Sequence, residues 1–394
     1  MQVTLNTLDK FQCLADKCPL TCCITWSIHV DSATLDKWAK IPDQTLRDEL
    51  NNATRQDQEQ GCVMKLRSDG YCVLLNDNRQ CSLQLRTGHE NLPQTCREYP
   101  RRSRTEDLRN TKTASMGCPA ITQQLLEISD PAALFTTTGD INPVFTKLEF
   151  DAGLAIELNN VFTQVMQDQR TPLGTRLLLL SRLLISLSIH SQEQTLNWQT
   201  VKRLFNKPRQ QLRDLQQLVK NKRIEPTDIQ GGQFWCLVYI LSKGSKGRSF
   251  LEQFGHDSFI TQAESLISGQ ANNFSDFNKT VLKLREAALP ALADLDQFGT
   301  NYLLVKCVNT GFPMQPRSGN FVATFLHAVL PYAMIQLFLW MLFDKNKSIT
   351  QNDIAVATAI IERHLDHNLK IYNLFEKNPV FLQLDHYADC LTML

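Results

Sequence analysis

The 394-residue sequence lacks a dominant charge: 41 Lys and Arg stand against 40 Asp and Glu, a net +1. Such a balance supplies no whole-protein field to draw in nucleic acid or an anionic membrane, so neither is an expected partner, and any polyanion site has to be a local patch. Glycine and proline are scarce, 16 and 15 residues, which excludes collagen-like and low-complexity classes. The start, MQVTLNTLDKF, lacks the basic stretch, apolar run and small-residue cleavage site of a secretory leader, and points to the cytoplasm. No fixed-period repeat marks a solenoid. No glycine-rich loop follows a strand as in doubly wound nucleotide-binding domains; Gly244-x-x-Gly247 in SKGSKGR reads as a flexible basic linker. Long hydrophobic runs are missing with one exception, Phe321 to Phe343, 23 residues without a formal charge and long enough to span a bilayer. It carries His327, Pro331 and Gln336, stands alone and has flanks with little topological bias, so it reads as a buried helix and no stable membrane span is expected.

What is present is uneven. Of twelve cysteines, nine lie between Cys13 and Cys118. In a reducing compartment such a cluster reads as a metal site before a disulfide framework, and nine is an odd number for pairing. The spacings run Cys13-x4-Cys18-x3-Cys22-Cys23, then Cys62-x9-Cys72-x8-Cys81-x14-Cys96-x21-Cys118. Converging thiolates suit zinc and iron–sulfur clusters alike. The x2 knuckle of a zinc ribbon is missing, which weakens the zinc-finger reading and leaves zinc as the alternative metal. Eight of the nine complete two four-ligand sites, or four hold one cluster while others pack as small hydrophobes. Cys62, in the helix-like GCVMKLRS, falls outside the tight pattern, and Cys236, Cys307 and Cys390 are assigned to packing.

Residues 1–120 show little apolar periodicity and many turn signals, so they read as loops held by something other than a large core. TWSIHVD alternates like a short strand, Ser32 is placed to cap a helix, and RDELNNATRQDQEQG reads as a polar helix end and loop. Beyond Ala120, apolar residues recur at three- and four-residue spacings through TRLLLLSRLLISLSIH, TVKRLFNKPRQQLRDLQQLVKN, TVLKLREAALPALADL and DIAVATAIIERHLDHN, with Pro172, Pro208, Pro226 and Pro290 breaking or bounding helices. The fold class is mainly α: a loop-rich cysteine-cluster metal-binding N-terminal module (1–120) on an irregular helical C-terminal domain (121–394).

The strings FQCLADKCPLTCCITWSIHVD, YCVLLNDNRQCSLQLRTGHENLPQTCREYPR and TASMGCPAITQQLL resemble the flagellin lysine N-methylase (FliB-type) family. They share a cysteine-rich start and the LP-x-TCR-x-[FY]-P ending with a broader group of zinc- or iron-chelating cysteine-cluster proteins. The likeness continues in KCVNTGFPMQP (Lys306 to Pro316) and ERHLDHN (Glu362 to Asn368). The resemblance implies methyl transfer from S-adenosylmethionine to lysine ε-amines of a protein, flagellin in the family, and an iron–sulfur cluster, 4Fe–4S in type. Its cysteines map to Cys13, Cys18, Cys22, Cys23, Cys72, Cys81, Cys96 and Cys118. Cys62 has no counterpart. The Cys-x3-Cys-x2-Cys motif of radical S-adenosylmethionine enzymes is not met, since Cys18-x3-Cys22 would need a cysteine at Thr25.

Methyl transfer to lysine needs a neutral amine held in line with the donor. Asp31 and Tyr99, beside cluster cysteines, are candidates to orient or deprotonate that amine, although Asp31 is equally placed to cap a helix. Trp26 is expected to wall the cluster. With Arg97 and Arg101 it is the candidate cofactor-binding set; Arg102, Arg104 and Arg109 extend a basic stretch that grips a carboxylate or stays a solvated loop. His364 and His367, three apart on a helix, are weak metal candidates. The favoured reading is a cytoplasmic methyltransferase acting on flagellin or another lysine-bearing protein, its acceptor channel lying between the two parts. The rivals are a non-enzymatic metal-stapled protein-binding module, favoured by the missing donor motif, and a redox enzyme.

Overall fold

Apolar residues at helical spacing give a helical body, and a computed structural model shows how it is assembled. The structure describes residues 1–24, 26, 28–106, 108–139, 152–192, 197–242, 261, 264–266, 268, 272–292, 295–313, 321–366 and 388–394. Mainly α, it carries sheet near its N-terminus. The body contains α5 (Pro119–Leu126), α6 (Ala152–Met166), α7 (Leu173–Gln192), α8 (Trp198–Leu204), α9 (Pro208–Lys220), α10 (Asp228–Ser242), α11 (Phe274–Ala288), α12 (Leu295–Thr310), α13 (Phe321–Asn346) and α14 (Gln351–Asp366). Pro208 sits in the first turn of α9, where its missing N–H costs nothing, and it splits the expected 200–221 run in two.

Helix α13 is the axis of the body. It packs against α10, α11, α12, α14 and α7. Together with α7 it is long and apolar enough to cross a membrane, but 94% of its apolar window is enclosed by the other helices, as the reading of 321–343 as a core helix requires. Trp235 and Trp340 meet edge-on at 5.1 Å within the continuous core.

The N-terminal chain reaches this body through a sheet. Strand β1 (Gln2–Leu5) pairs in parallel with β5 (Asn110–Ala114) and antiparallel with β6 (Phe135–Thr138), and β4 (Arg101–Thr105) covers the other side of β5. Leu5 and Ala114 point into the helical core. The sheet thus crosses position 120, joining strands from either side of it.

Residues 26–96 have an apolar core of their own, which corrects the expectation of loops without one. Ile28, Val30, Trp38, Ile41, Leu46, Leu50, Ala53, Met64, Leu83 and Leu92 are buried together. The supporting elements are α1 (Ser32–Ala39), α2 (Gln44–Asn52), α3 (Ser82–Thr87), α4 (Gln94–Glu98) and a hairpin of β2 (Thr54–Asp57) and β3 (Gly61–Met64). The hairpin stands where a polar loop was expected, and it puts Cys62 in a strand rather than a helix. Its turn is made by Gly61, at φ +72°. Within TWSIHVD, residues 28–30 lie along β3: Val30 N–H donates to Cys62 O and Met64 N–H to Ile28 O, with Ile28 and Val30 buried and His29 exposed. The cap of α1 is Asp31, one residue earlier than the expected Ser32, because Asp31 keeps extended backbone and accepts from Thr34 N–H at 2.8 Å.

Candidate functional site

Backbone pairing gathers the thiols. Cys72 N–H donates to Cys23 O at 2.9 Å, and bridges Leu66–Cys72 and Leu75–Cys81 pinch the loop between them. Cys81 precedes α3 and Cys96 lies in α4. The first group is Cys22, Cys23, Cys72, Cys81 and Cys96. Burial pushes Cys72 up to about 11, and repulsion from Cys23 and Cys81 adds to it. Cys81 and Cys96 are raised by burial and by Cys23 as well. The Cys22 thiol donates to Cys23, drawing Cys23 down to about 7 and Cys22 up. Cys13, Cys18 and Cys118 form a second group. Burial raises Cys118 to about 11, with Cys18 and Cys13 contributing repulsion, while Cys18 donates to Leu20 O at 3.3 Å. All eight, and Cys62, are free of disulfides. Among the described residues no three His, Cys, Asp or Glu side chains close on one metal-sized point, so the thiols are neighbours rather than a finished coordination shell. Cys62, Cys72, Cys81 and Cys96 also pack on the rim of the small core.

Tyr99 stands between the groups. Its ring packs on Trp26 at 5.4 Å, and Trp26 donates its indole N–H to Cys22 O. Burial raises the Tyr99 hydroxyl, with Cys118 and Cys22 nearby and Arg363 hydrogen-bonded to it. Arg363 comes from α14, 246 to 343 positions from its targets: Nε donates to Gly117 O at 2.9 Å, Nη1 to Thr21 O at 2.8 Å and Nη2 to Leu20 O at 3.0 Å. These carbonyls lie between Cys18 and Cys22 and next to Cys118. A Cβ at Gly117 would sit tightly there, 3.1 Å from Arg363 Cγ and 3.4 Å from Tyr99 Oη.

The other candidates are otherwise engaged. Asp31 accepts from Thr34 N–H, Thr34 Oγ1 and, at 3.1 Å, Gln94 N–H. Desolvation pushes its carboxyl up, but these hydrogen bonds outweigh it and hold the group at about 2, so it is a helix cap and a weak proton acceptor. Arg97 donates to Leu92 O at 2.7 Å, fastening the loop before α4, and Arg101 lies over the Phe11 ring at 5.1 Å. Arg109 is buried against Glu106 at 2.7 Å, and Arg104 reaches the same carboxylate at 3.4 Å, so the basic stretch is partly structural. His364 is buried. His367, Asn368, Gly244, Gly247 and Met314 to Pro316 lie outside the described residues.

Sequence reasoning passed over Arg363, Glu362 and Lys306. Lys306 Nζ meets Glu362 Oε2 at 2.5 Å, the Tyr302 hydroxyl donates to the same carboxylate, and all three are buried. The signal was available: Lys306 is a lone charge in the apolar YLLVKCV, and a buried charge needs a partner.

The profile of the FliB lysine N-methylase C-terminal domain matches residues 159–390, more than half of the chain. The chain belongs to this family. Among curated proteins, 135 residues are 28% identical to the lysine-N-methylase of Salmonella typhimurium, 33% of this chain and 34% of that one. The flagellar biosynthetic protein FliU of Salmonella muenchen is 28% identical over 131 residues, 32% of this chain and 78% of that one. The lysine-N-methylase of Salmonella choleraesuis is 27% identical over 135 residues, again 33% and 34% of the two chains. The chain thus spans about a third of the length of the curated methylases it matches. No solved structure matches. The FliB match covers the helical body from within α6 onward and leaves residues 1–158, the cysteine region among them, outside it.

Proposed function

We propose that this FliB-family chain is a cytoplasmic protein-lysine N-methyltransferase that takes its methyl group from S-adenosylmethionine and delivers it to lysines of flagellin or a similar surface protein. The observation that carries the reading is the family match over residues 159–390. The donor supplies an electrophilic methyl, and the chain has to present a neutral amine to it in a place that excludes water. Tyr99 suits that task better than Asp31. Its hydroxyl stays neutral and interior beside Arg363, so it orients an amine without charging it. Trp26 supplies an apolar wall.

An iron–sulfur cluster is part of this reading: the cysteines are free of disulfides, Cys72, Cys81 and Cys96 lie at the edge of the small core, and the guanidinium of Arg363 lies close to Cys18, Cys22 and Cys23, where it offsets thiolate charge. Cys22, Cys23, Cys72, Cys81 and Cys96 are the first choice of ligands, with Cys13, Cys18 and Cys118 as a second set. Such a cluster would supply cross-linking of residues 1–120 and a redox-active centre. The decisive experiment is co-expression with the flagellin of the same source, read by intact mass as increments of one methyl on lysine peptides. No increment, together with no S-adenosylmethionine binding by anaerobically purified protein, sinks the reading in favour of a binding module.

A further inference from the structure

Charge balance over the whole chain hides one strongly basic face. Between Trp198 and Arg223 the sequence carries eight Lys or Arg and one acid, Asp214, a net +7 in a chain whose total is +1, so the remainder is net acidic. All eight cations, Lys202, Arg203, Lys207, Arg209, Arg213, Lys220, Lys222 and Arg223, are exposed. Helix α9 faces inward through Leu212 and Leu215 and outward through Arg209 and Arg213. Among the described residues, Lys202 meets an acid, Glu157 at 3.8 Å, and no ion pair engages the other seven; Asp214 accepts from Gln210 instead. Three of the seven converge: an open cleft of about 510 Å³ is lined by Gln164 of α6 and by Lys207, Pro208, Arg209, Gln210 and Arg213.

A stable fold gains nothing from seven unneutralised like charges on and beside two short helices, since they repel one another. We propose that this face, centred on Lys207, Arg209 and Arg213, docks an acidic stretch of the polypeptide substrate. The inference rests on the reading of a protein substrate given above and names how that substrate is recognised. Two arginines and a lysine around one cleft match side-chain carboxylates through forked, charge-assisted hydrogen bonds. A single-stranded nucleic acid is disfavoured because, among the described residues, no aromatic side chain lines the cleft as a stacking platform. A membrane is disfavoured because, among the described residues, the cleft wall offers no apolar anchor beyond Pro208.

The test uses the full chain and a fluorescein-labelled oligoglutamate peptide, read by fluorescence anisotropy. It needs no methyl donor, so failure of methyl transfer and failure of docking are read separately. The peptide is expected to bind, and to weaken about tenfold in the Lys207→Glu/Arg209→Glu/Arg213→Glu variant and again as salt is raised. Reversal of the exposed Lys279 and Lys347, far from the cleft in sequence, should leave binding within about twofold. Thermal unfolding of each variant confirms the fold. Equal losses in both variants, no peptide binding, or tighter binding of duplex DNA or phosphatidylglycerol vesicles than of the peptide overturns the proposal.

Discussion

Residues 26–96 and the helical body solve the same problem with different means. The body buries one continuous cluster running from the N-terminal sheet through α13 to Leu394, with Trp235, Phe298, Tyr302 and Trp340 at its centre. The N-terminal stretch buries ten apolar side chains, few for a segment of about seventy residues whose ordering has to be offset. Where the body has helix packing, the N-terminal stretch has thiols at the edge of its core. Arg363 of the body fastens the cysteine-bearing segments that flank this stretch, through Leu20, Thr21 and Gly117. Apolar area is thus plentiful in the body and short in the cysteine region, where a link between the thiols would add most.

The largest effect expected from breaking that contrast is loss of the N-terminal fold. Cys96→Ser and Cys22→Ser should strip metal and the broad absorption near 400 nm expected of a cysteine-ligated cluster, and should open residues 26–96 to trypsin, because metal-binding free energy serves as folding free energy where the core is small. Cys307→Ser should do neither, since Cys307 is buried in the body. Metal analysis and limited proteolysis with mass mapping decide it. If Cys96→Ser stays as resistant as the wild type, the small core suffices on its own and the contrast collapses. Colourless wild-type protein with stoichiometric zinc would keep the contrast and change the metal.

Within the body the corresponding test removes a charge. Lys306→Met leaves the buried Glu362 without its cation, the Tyr302 hydroxyl still donating to it, which costs about 3–5 kcal/mol, whereas Lys306→Met with Glu362→Leu should recover most of that. Denaturant unfolding of the single and double variants measures the difference. Trypsin sensitivity of residues 26–96 should not change in either, and a change there would show that the two regions do not stand apart.

A gentler step acts on the joint between them. Arg363→Lys keeps a positive charge but loses the planar fork that serves three carbonyls, a loss of about 1–3 kcal/mol. Hydrogen exchange should rise over residues 13–24 while α6 and α7 stay protected. Uniform change across both regions would mean that Arg363 is only one of many fasteners.

These differences track what the sequence made legible. Periodicity exposed the helical body, including the buried segment around Pro331, because each helix advertises its own face. The hairpin Thr54–Met64 was not legible: TRQD is polar on both faces, so no period-2 pattern shows. Strand β1 was hidden for another reason, its partners being Asn110 and Thr138, which no local pattern in QVTL announces. The cysteines were legible as a cluster but not as a five-and-three arrangement, since spacing says nothing about which loops fold together. Glu362 and Arg363 were read past in favour of the neighbouring histidines, because a charged pair on a helix ordinarily marks its solvated side, and only Lys306 and the carbonyls of Leu20, Thr21 and Gly117 turn it inward.

The smallest effect separates cap from catalyst at Asp31. Its carboxyl is held at about 2, below the ordinary 3.8, by the Thr34 hydroxyl and the backbone N–H groups of Gln94 and Thr34. A carboxyl depressed in the folded state stabilises fully above its unfolded value, and that contribution is lost as pH falls from about 4 toward 2. Asp31→Asn keeps an acceptor for Thr34 N–H but loses the charge, so it should cost under about 1 kcal/mol at neutral pH and flatten this acid limb. The pH dependence of unfolding, followed in the 26–96 region for wild type and variant, measures the difference. Methyl transfer should survive Asp31→Asn and fall sharply in Tyr99→Phe, since an Asp committed to three donors has little basicity left for an amine. Loss of transfer in Asp31→Asn with unchanged acid stability would reverse that assignment, making Asp31 the proton acceptor and Tyr99 only the wall beside it.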